Sequence, residues 1–289
     1  MMTAQSAAMQ NNYTQLQQLL GTLSRVVIAY SGGVDSVFLL KVAIDALGPD
    51  RVLAVIGDSP SYPSREYRDA IHLAEEMGAV YRVIHTEEMQ DQRYASNPSN
   101  RCYYCKHELF TRIIHIAESE GYPVVCDGNN ADDTGDWRPG QQAARELGVR
   151  SPLIEVGMTK PEIRHLSQEL GLPTWNKPAS ACLASRIPYG TPVTPESLGA
   201  IEQAEYFLRD LGFQQVRVRH HGELARIEVS PDDIIRVVEP VIRERITQHL
   251  RTIGYQYVTV DLLGYRTGSF NEMLTTHMPT DQREETIAD

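Results

Sequence analysis

The segment Ser31-Gly32-Gly33-Val34-Asp35-Ser36 constrains the fold of this chain most strongly, because it directly follows an apolar run at residues 26–30. A short β-strand that runs into paired glycines, and then into a helix over residues 34–47, brings backbone N–H groups together in a tight turn. The hydroxyl groups of Ser31 and Ser36 add donors, and the helix directs the positive end of its dipole at the turn. The sequence therefore predicts a phosphate-binding loop at residues 31–36.

The glycine pattern of this loop differs from two common nucleotide-binding motifs. It matches neither G-x-x-x-x-G-K-[S/T] nor the dinucleotide fingerprint G-x-G-x-x-G. The pattern Ser-Gly-Gly-x-Asp-Ser instead resembles the pyrophosphate loop of ATP pyrophosphatases, which cleave ATP between the α and β phosphates to adenylate a substrate. The resemblance implies that ATP is bound through Ser31, Gly32, Gly33, Asp35 and Ser36. A plain strand-to-helix turn capped by serine is the alternative.

Composition limits the classes of protein to which the chain can belong. It has 289 residues and a formal net charge of −11, with 27 Lys and Arg against 38 Asp and Glu. An acidic chain of this kind is poorly suited to bind bulk nucleic acid, whose phosphates attract basic residues. The first 18 residues contain no apolar run of signal-peptide length, and no segment approaches the length of a membrane span. We therefore expect a cytoplasmic protein whose 4 cysteines serve metal binding or thiol chemistry rather than disulfides.

Strands and helices alternate along the first part of the chain. Apolar strands are expected at residues 26–30, 51–56, 81–85, 123–126 and 152–154, and helices at 13–23, 34–47, 65–77, 105–118 and 139–147. This alternation predicts an α/β domain at residues 1–177, in which a parallel sheet carries helices on both faces. Ligands of such sheets bind beyond the carboxyl ends of the strands, so the loops after the first, second and fourth strands should share one crevice.

The pattern changes after Lys177. Residues 178–195 are rich in proline and read as a long connecting loop. Helices are then expected at residues 195–211 and 231–253, and strands at 215–219, 225–229 and 257–262. These elements predict a second, small α+β domain at residues 178–275. A role of this domain in substrate binding and sulfur transfer is implied only by the family resemblance described below. Residues 276–289 are polar and are predicted to be a disordered tail.

Two acidic segments follow predicted strands at the edge where a nucleotide should bind. Asp58 ends the second strand, where such folds hold the adenosine. Residues 127–133 follow the fourth strand, where Gly128 and Asn129 permit a close approach of the backbone to a ligand. The clustered carboxylates, including Asp132, can hold the Mg²⁺ that accompanies ATP. Ordinary polar turns are the alternative for both segments.

The cysteines are compatible with several chemistries. Cys102 and Cys105 form a C-x-x-C pair, whereas Cys182 lies in a proline-bounded loop beside Arg186, whose positive charge favours a nucleophilic thiolate. The pair can be half of a zinc site, a redox pair or, together with Cys182, the ligand set of an iron–sulfur cluster. Ordinary free thiols are the remaining alternative. Cys126 follows two valines in a strand and is expected to be a small core residue.

A set of arginines occurs where an anionic substrate could be bound: Arg138, Arg186, Arg217 and Arg219. Arg217 and Arg219 alternate along a predicted strand, so both should point to one face and toward one target. Solvated charge on an exposed strand is the alternative for this pair.

Several segments together resemble the LarE family of ATP-dependent sulfur transferases, which help to build the nickel-pincer nucleotide cofactor of lactate racemase. They are Ser31 to Ser36, Arg101-Cys-Tyr-Tyr-Cys-Lys106, Asp127-Gly-Asn-Asn-Ala-Asp-Asp133, Arg138-Pro-Gly140, Ala181-Cys-Leu-Ala-Ser-Arg-Ile-Pro188 and Val216-Arg-Val-Arg219. The resemblance extends over most of the chain, from residue 16 to residue 268. It departs from the family pattern at Asn129, where Thr or Ser is expected.

The resemblance implies an adenine nucleotide alpha hydrolase-like fold and a reaction in two stages. ATP adenylates a carboxylate of pyridinium-3,5-biscarboxylic acid mononucleotide and releases pyrophosphate; sulfur then displaces AMP, and a second round gives the bis-thiocarboxylate. In one branch of the family, the cysteine that matches Cys182 gives up its own sulfur and becomes dehydroalanine. In another branch, three cysteines hold a [4Fe-4S] cluster whose open iron carries a labile sulfide. Because Cys102 and Cys105 are also present, the chain resembles the cluster branch, with Cys182 as both cluster ligand and catalytic residue.

The resemblance also implies the partners of the protein: a small-molecule nucleotide substrate, further copies of the same chain in a homo-oligomer, and other nickel-pincer assembly proteins that receive the product. A tRNA thiolation enzyme is one rival interpretation, although the chain is acidic and has no recognisable RNA-binding module. An ammonia-using amide ligase, such as an NAD or GMP synthetase, is a second rival, but it would not need the three cysteines. A non-enzymatic ATP-binding module is the third.

Overall fold

A computed structural model describes residues 4–135, 139–178 and 181–266. Its helices are α1 (Ala4–Gly21), α2 (Val34–Leu47), α3 (Ser64–Glu76), α4 (Gln92–Ala95), α5 (Arg101–Glu120), α6 (Pro139–Glu146), α7 (Pro152–Glu155), α8 (Lys160–Glu169), α9 (Pro195–Asp210), α10 (Ile234–Val238) and α11 (Pro240–Ile253). Its strands are β1 (Val26–Ala29), β2 (Val52–Asp58), β3 (Val80–His85), β4 (Val124–Cys126), β5 (Val216–His221), β6 (Leu224–Val229) and β7 (Tyr257–Val260). The chain divides into two compact units, and the second unit begins at Leu183.

The first unit is built on a parallel four-stranded sheet with the strand order β3-β2-β1-β4. Val26 of β1 lies opposite Val52 of β2 on one side and opposite Val124 of β4 on the other. The chain moves from β1 outward to β2 and β3, and then returns to place β4 on the other side of β1. The switch between these two directions lies between β1 and β4, which is where ligands bind in sheets of this type.

Both faces of this sheet are covered by helices, as the sequence predicts. Val26 and Ile28 belong to a core that also contains Leu16 of α1 and Phe38 of α2. The intervening Val27 lies in a second core, formed with α5 and α6 on the opposite face. Successive side chains of a strand point to opposite faces, so a strand that is apolar at every position is buried on both. The predicted α/β class is therefore confirmed.

The prediction of a strand at residues 152–154 is wrong, because these residues form the short helix α7. Pro152 occupies the first helical position, where its fixed φ and missing N–H favour a helix start. The contact expected of this strand is made instead by Arg150, which forms an isolated bridge with Cys126. Helix α8 was not predicted, although Thr159 and Glu162 form a capping box at its start.

The second unit contains a three-stranded sheet with the order β5-β6-β7. β5 and β6 are antiparallel, and β7 runs parallel to β6. The long helix predicted at residues 231–253 is divided into α10 and α11, because Glu239 is extended before Pro240. The tail predicted at residues 276–289 lies outside the described residues. Within residues 4–135, 139–178 and 181–266, no helix combines the length and apolarity needed to cross a membrane.

Candidate functional site

The loop after β1 has the tight geometry expected of a phosphate-binding turn. The Ser31 N–H donates to Ser36 Oγ at 3.2 Å, and this hydroxyl donates in turn to the Gly33 carbonyl at 3.2 Å. Gly32 adopts a φ of +61°, and a Cβ at this position would lie 2.6 Å from the Ala70 Cβ. Residue 32 is therefore glycine for two independent reasons: its backbone is left-handed, and helix α3 leaves no room for a side chain.

The loop after β4 packs directly on the loop after β1. A Cβ at Gly128 would lie 3.0 Å from the Ser36 backbone nitrogen, so the two main chains meet without an intervening side chain. The buried carboxylate of Asp127 organises this second loop, since it accepts the Asn129 N–H at 3.1 Å and the Ser151 hydroxyl at 2.7 Å. The loop after β2 also reaches the β1 loop, because the Tyr62 hydroxyl donates to the Ser31 carbonyl at 2.7 Å. Both of the other loops that were expected to share the crevice thus contact the β1 loop.

Asp35, in the first turn of α2, forms an ion pair that the sequence analysis did not anticipate. Its Oδ2 accepts a hydrogen bond from Lys160 Nζ at 2.6 Å. Lys160 is the first residue of α8, and its backbone N–H donates to Asp132 Oδ2 at 2.8 Å. The predicted nucleotide ligands Asp35 and Asp132 are therefore connected through one lysine.

The third predicted loop follows β2. The Asp58 carboxylate lies 2.9 Å from His85 Nδ1, and the His85 side chain is exposed. The next residue, Ser59, donates its hydroxyl to Glu88, whose side chain is almost completely buried. A role of Asp58 in holding the adenosine stays a prediction.

Cys102 and Cys105 lie in the first two turns of α5, which begins four residues earlier than predicted. Residues three apart on a helix lie on the same face. Burial, followed by the charge of Glu88, raises the pKa of Cys105 far above its ordinary value. The pKa of Cys102 is also raised, although this residue is exposed as a whole, because the surrounding protein desolvates its thiol and Cys182 lies within electrostatic range.

The three cysteines have the donor chemistry of an iron–sulfur ligand set. Cys182 influences the titration of both Cys102 and Cys105, so the three thiols share one electrostatic neighbourhood. Thiolate sulfur is the ligand that iron–sulfur clusters use. Among the described residues, no group of three or more His, Cys, Asp or Glu side chains is placed to hold a metal ion. Cluster assembly would therefore require these thiols to lose their protons and move together.

Cys126 has a different environment from the other cysteines. It is fully buried within the sheet core, and burial raises its pKa to about 12. The prediction that Cys126 is a small core residue is confirmed.

The predicted substrate-binding arginines of the second unit are buried rather than solvated. Arg186 is fully buried and makes two hydrogen bonds to Glu205, at 2.8 and 3.0 Å. Its charge is therefore balanced by Glu205, whereas the sequence pattern assigns that charge to activation of the Cys182 thiol. Arg219 pairs with the buried Glu228 at 2.7 Å. Arg138 lies outside the described residues.

Arg217 and Arg219 lie on one face of β5, because the alternating Val216 and Val218 belong to the hydrophobic core of the unit. Burial, followed by the charge of Arg186, lowers the pKa of Arg217 to about 10. The alternative of solvated strand charge is therefore wrong, since both arginines are more than nine-tenths buried. Whether these arginines contact a substrate stays a prediction.

Removal of the Glu205 charge should destabilise the second unit. Glu205→Gln leaves Arg186 buried without a counter-charge, so we expect the free energy of unfolding to fall by about 3–5 kcal/mol. Glu244→Gln on the exposed surface of α11 is the matched control and should change it by less than about 0.5 kcal/mol. Chemical denaturation of the three proteins measures both effects. A loss at Glu205 no larger than at Glu244 would contradict the account.

The ion pair between Glu205 and Arg186 also predicts that the free energy of unfolding depends on pH. Burial alone would raise the pKa of Glu205, but the charges of Arg186, Arg217 and Arg209 outweigh it and lower the pKa below 4.5. This stabilisation is present above the pKa of the unfolded glutamate and is lost as the pH falls through the lower folded pKa. The contribution should therefore disappear on acidification below about pH 4.5, and Glu205→Gln should lack that component.

Comparisons with known proteins assign this architecture to a family. A family model described as NAD synthase matches residues 9–113, which include the loop at residues 31–36. The chain is 41% identical over 256 residues to the pyridinium-3,5-bisthiocarboxylic acid mononucleotide synthase of Lactiplantibacillus plantarum, and the match covers 89% of this chain and 92% of that protein. The chain belongs to the LarE family. The resemblance inferred from the motifs is confirmed, and with it the assignment to a family of sulfurtransferases that use ATP.

Three further relatives show how the resemblance is distributed along this LarE-family chain. An uncharacterized protein of Synechocystis sp. is 46% identical, with 92% of this chain and 99% of that protein covered. An NH(3)-dependent NAD(+) synthetase of Hyperthermus butylicus is 45% identical, but only over 60 residues, or 20% of this chain. Another NH(3)-dependent NAD(+) synthetase, from Staphylothermus marinus, matches 79% of this chain but is only 26% identical. Over most of the chain, the similarity to the L. plantarum synthase is therefore the stronger one.

Sequence reasoning did not identify Lys160 and Glu88 near the candidate sites, and it did not predict that Glu205 pairs with Arg186. The capping box of Thr159 and Glu162 is a local signal that would have placed Lys160 at a helix start. Glu88 and Glu205 lie in segments that carry no such signal. Their burial results from tertiary partners distant in sequence.

Proposed function

We propose that this protein converts carboxylates of pyridinium-3,5-biscarboxylic acid mononucleotide into thiocarboxylates at the expense of ATP. The observation that carries the proposal is the loop at residues 31–36 in a chain that also brings Cys102, Cys105 and Cys182 into one neighbourhood. The loop supplies a site for the leaving pyrophosphate, and the thiols supply a place for sulfur. The similarity to the L. plantarum synthase supports the same substrate and product.

In the first stage, a carboxylate oxygen of the substrate attacks the α-phosphorus of ATP. The bond between this phosphorus and the bridging oxygen breaks, and pyrophosphate leaves with the electron pair. Backbone N–H groups of the loop at residues 31–36, the hydroxyls of Ser31 and Ser36, and the dipole of α2 stabilise the negative charge that develops on pyrophosphate. We assign Gly128 and Asn129, in the adjacent β4 loop, to the nucleotide as well.

The residues around the loop also fit Mg²⁺. Asp35 Oδ1 is buried and has no well-aligned hydrogen bond among the described residues, and oxygen atoms of this kind are the ligands that Mg²⁺ prefers. Asp35 would hold the ion. Asp132 lies nearby, because both aspartates accept hydrogen bonds from Lys160. The bound ion would supply charge neutralisation for the phosphates.

In the second stage, sulfur attacks the acyl carbon of the adenylate, the carbon–oxygen bond breaks and AMP leaves. We assign Cys182, Cys102 and Cys105 as the residues that would hold a [4Fe-4S] cluster, with Cys182 also as the catalytic residue. Such a cluster would supply a labile sulfide. In the alternative mechanism, Cys182 donates its own sulfur. The protein is then permanently changed, because Cys182 becomes dehydroalanine.

The arginines of the second unit provide positive charge for an anionic mononucleotide. We assign Arg217 to the substrate together with Arg219, because both lie on one face of β5. Arg186 and Arg219 are paired with Glu205 and Glu228, which partly neutralise their charges. Arg138 completes the set as a prediction from the sequence.

Pyrophosphate release tests the proposal directly. We expect ATP to be cleaved to AMP and pyrophosphate only when the pyridinium biscarboxylate is present, because adenylation needs its carboxylate. Release that requires tRNA would favour the tRNA thiolation enzyme, and release that requires ammonia and an amide acceptor would favour the amide ligase. No release with any of these substrates would favour the non-enzymatic module. Each outcome other than the first contradicts the proposal.

A further inference from the structure

The ion pair between Lys160 and Asp35 connects two elements that are distant in sequence. The two residues are 125 positions apart, and the Nζ–Oδ2 distance of 2.6 Å is that of a charge-assisted hydrogen bond. Both side chains are partly buried, with exposed fractions of 30% for Lys160 and 20% for Asp35. The pair therefore differs from an exposed surface ion pair, in which water competes for both charges.

The position of Lys160 is fixed by its backbone. Its N–H donates to Asp132 Oδ2 at 2.8 Å, and the preceding Met158 carbonyl accepts the Ala131 N–H at 2.9 Å. Thr159 caps α8 at the same point. These bonds attach the start of α8 to the β4 loop, so the ammonium group is delivered to the first turn of α2 from a defined position.

The Asp35 carboxylate has an unequal environment at its two oxygens. Oδ2 is taken by Lys160, whereas Oδ1 is buried and has no well-aligned hydrogen bond among the described residues. Burial raises the pKa of Asp35, and the charge of Lys160 opposes that rise, while the side chain of Asn130 is close enough to lower the pKa further. A second cation at this carboxylate would meet the positive charge of Lys160 at short range.

We propose that Lys160 and a divalent cation compete for Asp35, so that Lys160 makes cation binding depend on the triphosphate. This inference rests on the proposed ATP site. When ATP enters, its phosphates offer Lys160 a stronger anionic partner than a single carboxylate. Transfer of the ammonium group to a phosphate oxygen releases Asp35, which then binds Mg²⁺. Lys160 is thus a nucleotide-binding residue that couples the binding of the metal to the binding of the nucleotide.

Manganese binding without nucleotide tests the competition independently of catalysis. Titration of the protein with Mn²⁺, followed by the electron paramagnetic resonance signal of the free ion, measures the affinity. We expect Lys160→Met to bind Mn²⁺ at least about tenfold more tightly than wild type, because the competing charge is removed. The double variant Asp35→Asn/Lys160→Met should lose that gain. Lys41→Met is the matched control, since Lys41 pairs with Asp45 elsewhere on α2, and it should bind Mn²⁺ as wild type does.

The nucleotide side of the coupling is measured by calorimetry with Mg²⁺ and the α,β-methylene analogue of ATP. Lys160→Met should bind this analogue about tenfold more weakly, because a phosphate loses its ammonium partner. If Lys160→Met does not fold, Lys160→Gln also removes the positive charge but keeps a hydrogen-bond donor in the side chain. Unchanged Mn²⁺ affinity in the folded lysine variant would overturn the inference. Failure of wild type to bind the analogue at all would instead contradict the proposed ATP site.

Discussion

Replacement of Cys182 by alanine should lower sulfur transfer by at least about a thousandfold, while substrate-dependent release of pyrophosphate continues. The two activities should separate because adenylation uses the loop at residues 31–36, whereas sulfur leaves from the cysteine site. The thiocarboxylate product and pyrophosphate are quantified in the same reaction. Cys126→Ala is the control cysteine variant: it empties a buried position in the sheet core, so it should lose stability and retain transfer.

Variants at Cys102 and Cys105 distinguish between the two possible sulfur donors. If a cluster carries the sulfur, Cys102→Ala and Cys105→Ala should each abolish transfer and lower the iron and acid-labile sulfide bound per chain. If Cys182 donates its own sulfur, these variants should retain a single turnover, and the protein should lose the mass of one H₂S. Full transfer activity in Cys182→Ala would contradict both mechanisms.

Replacement of Gly32 by alanine should cause the largest loss on the nucleotide side. Alanine at this position would have to adopt the left-handed backbone conformation that glycine has there. Its Cβ would lie 2.6 Å from the Ala70 Cβ and 3.0 Å from the Ala70 Cα. The loop can relieve this collision only by moving away from α3, which displaces the N–H groups that bind phosphate. We expect the affinity for ATP to fall by about a hundredfold and the free energy of unfolding by about 2–4 kcal/mol.

Gly78→Ala is the matched control for this substitution. Gly78 has a φ of +65°, close to the +61° of Gly32, but nothing lies within 4 Å of its Cβ position. The control therefore carries the cost of the backbone conformation without the collision. It should destabilise the protein by about 1–2 kcal/mol and leave the affinity for ATP unchanged. Equal ATP affinities of the two variants would contradict the role assigned to the loop.

The nucleotide half of the protein was largely predictable because its signals are local. Apolar strands alternating with helices specify a parallel sheet, and the loop of β1 is visible as paired glycines between a strand and a helix. The predicted strand at residues 152–154 shows the limit of this reasoning. A short apolar run does not distinguish a strand from a helix, and here Pro152 favoured a helix start.

The surroundings of the candidate site depended on contacts that sequence spacing does not reveal. Arg186 reads as a free cation beside Cys182, yet the structure buries it against Glu205, nineteen residues away. Lys160 reaches Asp35 across 125 residues. Burial of a charge depends on the partner that tertiary structure provides, so local patterns identify the candidate residue but not its state.

The central claim is that sulfur replaces oxygen on a carboxylate activated by ATP. The most direct measurement is the mass spectrum of the pyridinium mononucleotide after anaerobic incubation with ATP, Mg²⁺, a sulfide source and the reconstituted protein. The account predicts a product heavier than the substrate by the exchange of sulfur for oxygen, formed with one AMP and one pyrophosphate for each exchange. A product without sulfur, such as an amide, or sulfur insertion that proceeds without ATP cleavage would contradict it.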